Sequence, residues 1–499
     1  MAQENASSGS LVLYISSSIV LLFVALGMFL PAQTAAVVNK VFAFLTTDFG
    51  WLYLLSVAVF LVVAYGIAFS RYGNIKLGKD EDTPEFSNFQ WFAMLFGGGM
   101  GIGLVFWSIA EPIMHYLAPP VGTASTPEAM ATAMRVVFFH WGIHAWVIFA
   151  IGGLALAYFQ FRRGLPFLIS SAFYPLIGER IYGPIGKAID ILSVFATVFG
   201  VATSLGLGSS QIATGLNYIW GVTASPTTIA IIIAVITILF TLATISGLHK
   251  AMQFAANLKI WLSIAFMVFI FLFGGMVGIL NTFTSTLGSY LQTFVGQTLW
   301  MDNAKWITGW TVFYWAWWIA WAPFVGQFVA RVSKGRTIRE FILAVTLLPV
   351  GFSFMWLAIY GGAAFQLDQA SGGAIKAAVN ADYTTALFAT LKQLPLYGLT
   401  GPLAIVLIVA SFIGAANSAT YVLAMLTSGG DMNPNKKLRG FWGIAQGAIT
   451  IMLILVGGTA ALKALQTASI AAAFPFMLIM LVMCYSIIVA LREDSAGKK

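Results

Sequence analysis

Trp310-Thr-Val-Phe-Tyr-Trp-Ala-Trp-Trp-Ile-Ala-Trp321 places seven aromatic residues in twelve consecutive positions of an apolar segment that runs into a basic end, Arg331-Val-Ser-Lys-Gly-Arg-Thr-Ile-Arg339. At 100° per residue Trp310, Tyr314, Trp317 and Trp321 share one stripe of a helix, and Trp318 lies one step round, i+4 from Tyr314 and three residues before Trp321. Lipid-facing filler does not need this density of rings. Aromatic faces attract quaternary ammonium groups by roughly 0.5–2 kcal/mol each once water is excluded. A carboxylate, by contrast, binds any cation, including small hydrated ones. The stripe is therefore read as a box for a soft organic cation.

The rest of the chain has the composition of a membrane protein. Of its 499 residues 60% are hydrophobic and 8% charged, with a mean hydropathy of +0.90, outside the range of soluble domains. About a dozen runs of roughly 20 apolar residues are long enough to cross a bilayer core. They lie near 11–30, 49–70, 89–110, 136–160, 188–218, 227–247, 256–281, 308–331, 338–362, 400–428, 441–461 and 468–491. The first has no Lys or Arg before it and no small-residue cleavage site, so it is read as a retained helix. A single cysteine, Cys484, excludes an internal disulfide and a cysteine metal cluster.

Basic residues orient these spans. With the N-terminus inside, the inner loops and tail carry nineteen of the twenty-five Lys and Arg residues, and the outer side has only Lys40, Arg135, Lys305, Lys376, Lys392 and Lys463. Both termini are thus expected in the cytoplasm. The same asymmetry accounts for the net charge of +8 without a nucleic-acid partner. Residues 283–307 read as an interfacial amphipathic helix with Tyr290, Leu291, Phe294 and Val295. Residues 363–399 read as an outer loop.

In the third span, Phe96-Gly-Gly-Gly-Met-Gly-Ile-Gly103 has five glycines in seven residues. Each costs a helix about 1 kcal/mol relative to Ala. The run predicts either close small-residue packing between helices or a discontinuous helix whose backbone groups line a site near the membrane midplane. Two further features carry polar chemistry. His140 and His144, at i and i+4, would put two imidazoles on one helix face, with helix-to-helix hydrogen bonding as the ordinary reading and a metal as the other. Glu111, followed by Pro112, is an ionisable group near the end of a span.

Gly99-Met-Gly-Ile-Gly103 with Trp107-Ser-Ile-Ala-Glu111-Pro112, and Trp310–Trp321 running into Arg331-Val-Ser-Lys-Gly-Arg336, give the chain its resemblance to the betaine/choline/carnitine transporter family. The likeness continues through Leu426-Thr-Ser-Gly-Gly430 and Ala464-Leu-Gln-Thr-Ala-Ser469. It implies an all-α integral membrane fold of twelve transmembrane helices with two inverted five-helix repeats, LeuT-like, and no enzymatic activity. The corresponding divisions are 1–88 for two leading helices, 89–282 for the first repeat, 283–307 for the interfacial helix, 308–492 for the second repeat and 493–499 for a short cytoplasmic tail. The resemblance also implies a homotrimer in the inner (plasma) membrane of a bacterium.

Carried over by position, the resemblance assigns the aromatic box to Trp141, Trp146 and Phe149 of the fourth helix and Trp318 of the eighth. Phe149 stands where related glycine betaine carriers have Tyr. Trp317 and Trp321 fall on the exit path, Tyr314 on the same stripe, and Gly99, Met100, Gly101 and Gly103 at the other end of the substrate. Related choline carriers have Asp at the position of Gly103, so a zwitterion is favoured: glycine betaine, carnitine or a similar trimethylammonium compound. Choline and the sulfonium zwitterion dimethylsulfoniopropionate stay open.

Sodium-coupled relatives ligate the ion with hydroxyls at the positions of Gly414 and Ala415, and have Asp at Asn417, so one sodium site is expected to be lost. Thr197, with Val201 one turn on and Phe324 on the eighth helix, is the candidate for a residual site. Sodium-independent exchange or facilitated transport is the leading expectation, with sodium or proton symport as alternatives. No cofactor is expected. A cation channel is the alternative from another class, although no ring of charges or carbonyls suggests one.

Overall fold

A bilayer offers no water to backbone amides, so a lipid-embedded chain satisfies them in helices. The computed structural model describes residues 2–99, 101–246 and 249–496, and they are helical nearly throughout. Helices α1 (Ala2–Phe29) and α2 (Pro31–Phe69) lead. The third span is in two pieces, α3 (Asn88–Gly99) and α4 (Ile102–Leu117). So is the fourth, α5 (Pro127–Trp141) and α6 (Ile143–Ala157). After the short α7 (Tyr174–Ile177) come α8 (Pro184–Trp220), α9 (Pro226–Ser246), α10 (His249–Phe273) and α11 (Met276–Thr298). The second half has α12 (Ala304–Gly309), α13 (Thr311–Arg331), α14 (Ile338–Ala370), α15 (Ala374–Ala381) and α16 (Ala386–Lys392). It closes with α17 (Tyr397–Leu426), α18 (Lys436–Gly457) and α19 (Ala461–Ala496).

Among the described residues ten helices, counting Pro127–Arg162 as one, are long and apolar enough to cross a membrane. The protein is an all-α, multi-pass membrane protein. The aromatic α13 is not among the ten. Its Trp and Tyr residues lower its hydropathy, and it is buried inside the bundle against α6, α8 and α19.

The basic loops meet at one end. Arg162 pairs with Asp494 (2.5 Å) and Asp80 (2.9 Å), Arg331 pairs with Glu85 (2.8 Å), and Leu77 N donates to Arg336 O. A capping box starts α14 just beyond: Thr337 Oγ1 accepts from Glu340 N, and Glu340 Oε2 accepts from Thr337 N.

Two connections differ from their sequence reading. Gly275, at φ +94°, turns the chain between α10 and α11, a conformation that L side chains rarely adopt. Residues 276–281, read with the preceding span, therefore belong to α11. Residues 363–399 are helical rather than an outer loop: α14 continues to Ala370, and α15, a 3₁₀ turn at Tyr383–Thr385 and α16 follow. The Asp residues that suggested a loop serve as caps. Asp368 Oδ1 accepts from Lys376 N and Asp382 Oδ1 from Thr384 N. This segment covers α4, and Tyr383 stacks on Trp107 with ring centres 5.7 Å apart and planes 12° apart.

Candidate substrate site

The ring stripe expected on α13 is continuous. Trp310 stacks with Tyr314 (6.5 Å), Tyr314 lies 6.2 Å from Trp317, and Trp317 lies 6.5 Å from Trp321. Trp318, one step round, is wedged between two rings of the fourth span. It meets Trp141 at 5.0 Å and Phe149 at 5.5 Å, both edge to face, and Phe149 meets Trp146 at 5.5 Å. The structure thus brings Trp141, Trp146, Phe149, Trp317 and Trp318 into one cluster, in which only Trp318 is half-buried and the rest are buried.

Two glycines make this clustering possible. Gly142 divides α5 from α6, and a Cβ there would strike Phe138 O at 2.4 Å and Tyr290 Oη at 2.9 Å. Tyr290, on α11, accepts a hydrogen bond from Ile143 N at the break. The break leaves His140 O to accept from Trp318 Nε1 (3.0 Å). Gly103 is the second: a Cβ there would lie 2.5 Å from Trp317 Cη2 and 3.2 Å from Trp141 Cη2. Gly101, two residues earlier, has nothing within 4 Å of such a Cβ and ends the break as the extended residue before α4. Gly99 ends α3, and Met100 lies outside the described residues.

The break at Gly142 also separates the two histidines, so they do not share a helix face. His144 Nε2 meets Thr298 Oγ1 on α11 (2.8 Å), while His140 turns to Glu111. The Glu111 side chain is fully buried within the protein. His140 Nδ1 (2.6 Å) and His115 Nε2 (3.2 Å) approach its Oε1, and Trp141 Nε1 (2.8 Å) and Tyr314 Oη (2.5 Å) donate to its Oε2. A carboxylate met by this many polar groups is a positioning centre: it fixes Trp141 from behind and ties it to the α13 stripe. Glu111, His115 and His140 also have metal-ligand spacing. Their contacts are already those of a hydrogen-bond network, in which His115 Nδ1 lacks a partner among the described residues.

On the side of the basic loops, a cavity of about 1130 Å³ runs from Trp321 to Arg331, Lys436 and Arg439. Its walls include Gly97, Gly101, Gly414, Ala415 and Asn417, and Gly414 and Ser418 are exposed within it. Lys259 Nζ lies there 3.5 Å from Gly97 O, and the Thr244 hydroxyl donates to Asn417 Oδ1. Phe324 lines the cavity, whereas Thr197 and Val201 are buried in α8 outside it, and the Thr197 hydroxyl donates to Ser193 O (2.8 Å). Trp321 Nε1 donates to Gly200 O at the cavity's inner limit. Trp317 Nε1 is buried with no hydrogen-bond partner among the described residues. Sequence reading missed the Glu111 network and the role of Tyr290. The only local signal was Gly142, lying between two Trp-bearing stretches.

A many-helix membrane bundle in which a broken helix and the end of an aromatic stripe, Trp321, line a deep cavity is built as a solute carrier. The chain belongs to the betaine/carnitine/choline transporter family: the family described as "BCCT, betaine/carnitine/choline family transporter" matches residues 11–496. It is a secondary transporter of betaine-type quaternary ammonium solutes and not an enzyme. Among its relatives, a probable glycine betaine transporter of Desulfitobacterium hafniense (strain Y51) is 79% identical over 97% of both chains. The glycine betaine transporter OpuD of Bacillus subtilis (strain 168) is 46% identical over 94% of this chain and 91% of its own. An ectoine/hydroxyectoine transporter of Virgibacillus pantothenticus is 42% identical over 98% of this chain and 97% of its own.

Proposed function

We propose that the protein carries glycine betaine, or a closely similar trimethylammonium carboxylate, by alternating access. Trp141, Trp146, Phe149 and Trp318 take the cationic head, and the Gly99–Gly103 break with Trp317 takes the carboxylate end. The observation that carries this reading is Trp318. It is the half-buried ring of the cluster, lies against Trp141 and Phe149, and is next to the cavity-lining Trp321 on the same helix. Rings at 5.0–5.5 Å are in van der Waals contact, so admitting a head group requires Trp318 to swing from its tether on His140 O. Trp321 and Tyr314 belong to the path on either side. Support for glycine betaine comes from the relatives at 79% and 46% identity.

In the same reading the ten long spans, the broken α3–α4 and α13 make twelve transmembrane helices. They form two inverted five-helix repeats over 89–282 and 308–492, with α11 as the interfacial helix, both termini cytoplasmic, and the assembly a homotrimer in a bacterial plasma membrane. The cavity then faces the cytoplasm. Transport is a sodium-independent exchange. In support, Gly414 and Ala415 bring no hydroxyl to the cavity, and the Lys259 ammonium lies beside Gly97 O, a carbonyl a metal cation would otherwise seek.

Labelled glycine betaine uptake into proteoliposomes, preloaded or empty, with and without a sodium gradient, tests the mode. Exchange that ignores sodium agrees with the proposal, and concentrative uptake that requires sodium refutes it. Trp318→Leu should abolish high-affinity saturable binding while the protein stays folded. Wild-type affinity in that variant would remove the box assignment.

A further inference from the structure

The charged groups in the wall of the large cavity are all cations. Lys259, Arg331, Lys436 and Arg439 line it, and among the described residues no Asp or Glu does. Arg331 is paired with Glu85 (2.8 Å) outside that lining. We propose that the cavity seats a free oxyanion of the phosphate class at the first turn of α18, and that the occupant slows transport from the cytoplasmic side. The slowing rests on the alternating-access reading above, and the seat does not.

Helix α18 opens on Lys436 and Lys437 and has no acidic residue in its first turn. Cations there face the positive end of the helix, where an anion is favoured. Lys436 and Arg439, three residues apart, share a face of that helix, and both line the cavity. Arg439 Nη1 donates to Thr244 O (3.3 Å) in the last turn of α9, but its Nε is buried with no partner among the described residues. Asp431, the acid nearest along the chain, is exposed and accepts from Asn433 N (2.8 Å). Gln327, on α13, lines the same cavity. It is 2% exposed, and neither its amide nitrogen nor its amide oxygen has a partner among the described residues. Buried polar groups are normally paired, so the cavity holds unmet donors, at Arg439 and Gln327, and an unmet acceptor, Gln327 Oε1.

Phosphate answers both kinds. Its charged oxygens suit the fork of Arg and the ammonium of Lys, and its remaining P–O–H can donate to an amide oxygen. Sulfate has similar shape and charge but no hydroxyl, and chloride has neither oxygens nor hydroxyl. A cavity of about 1130 Å³ also admits a small phosphate monoester, which keeps the same group. Alternating access requires this cavity to shrink when the substrate site opens to the other side. An anion held between α13 and α18 binds the open form and not the closed one, and so shifts the population toward the form that cannot complete the cycle.

The test is calorimetric titration of the full chain in dodecyl maltoside, with inorganic phosphate, sulfate or chloride at constant ionic strength. Phosphate should bind saturably and more tightly than sulfate or chloride. Arg439→Gln should weaken it about tenfold or more, the loss of a charge-assisted contact. Gln327→Leu should erase the preference of phosphate over sulfate, and it decides the matter if Arg439→Gln does not fold. The seat is overturned if phosphate does not saturate, if the three anions bind alike, or if neither variant changes the binding. In nanodiscs containing phosphatidylglycerol the phosphate affinity should be kept; its loss there would give the seat to a lipid headgroup and overturn the free-anion reading. Phosphate trapped in proteoliposomes should slow glycine betaine exchange relative to trapped sulfate, and less so in Arg439→Gln; equal rates would overturn the slowing. Glycine betaine binding to the Trp318→Leu protein is a separate titration, so failure of the box reading leaves the anion result standing.

Discussion

Gly103→Ala is a one-methyl perturbation whose consequence is set by two rings. The added Cβ would lie 2.5 Å from Trp317 Cη2 and 3.2 Å from both Trp317 Cζ2 and Trp141 Cη2. Carbon atoms settle at about 3.5–4.0 Å, so Trp317 must retreat by about 1 Å. Phe313 stacks on it at 5.6 Å and 14°, and Trp318 at 5.7 Å and 22°, so it has no free direction. Overpacking of this kind costs about 1–3 kcal/mol. If the strain is taken up by moving the rings out of register with the cargo, affinity for glycine betaine falls by about 5- to 150-fold. The control is Gly101→Ala, whose Cβ meets nothing within 4 Å. Only Gly103 is inside α4, so only Gly103→Ala gains helix propensity, about 1 kcal/mol at most, and that gain works against the collision. Intrinsic tryptophan fluorescence titration with glycine betaine, paired with thermal unfolding of the detergent-solubilised protein, measures it. A Gly103→Ala protein that binds like wild type and melts no lower than Gly101→Ala would refute the argument.

Three other outcomes follow from the same geometry. Glu111→Gln replaces an acceptor of four contacts by an amide with one oxygen; it should destabilise the protein by about 2–5 kcal/mol, and an unchanged melting temperature would contradict the network. The double variant Gly414→Thr and Ala415→Ser puts hydroxyls into the cavity, and the Gly414 position has open space for a Cβ; uptake should become more responsive to sodium, and an unaltered response would separate these positions from ion binding. Glu85 hydrogen-bonds Arg331, which holds its carboxyl below the ordinary 4.5. Because the folded-state value is depressed, the pair's contribution is complete above that ordinary value and is lost as pH falls through the depressed one. Acid unfolding of Glu85→Gln should lack this component, and superimposable acid limbs would show that the pair contributes nothing.

Much of the site was legible because aromatic residues at helical spacing can meet in few ways. The α13 stripe follows from ring spacing on a helix whose existence the apolar runs already required, whereas the meeting of Trp141, Phe149 and Trp318 was what the family resemblance implied. For the histidine pair the ordinary reading, helix-to-helix hydrogen bonding, holds, while the shared face was misread for a local reason. Spacing i, i+4 implies a shared face only if the helix is continuous, and Gly142 interrupts it where Tyr290, far along the chain, supplies the missing acceptor. Residues 363–399 were misread similarly, since Asp and Gly signal a loop unless a cap partner and a ring such as Trp107 lie across from them.

By itself the sequence determined that this is a membrane-embedded helical protein with an aromatic, cation-seeking stripe and a glycine-broken helix, because hydropathy, ring spacing and glycine content act locally along the chain. Only the tertiary structure decided that Glu111 stands behind Trp141, that Gly103 is packed against two indoles while Gly101 is open, and that Gln327 and Arg439 share a cavity. Those facts depend on which helices pack together, and burial and hydrogen-bond pairing are properties of that packing, which no single segment encodes.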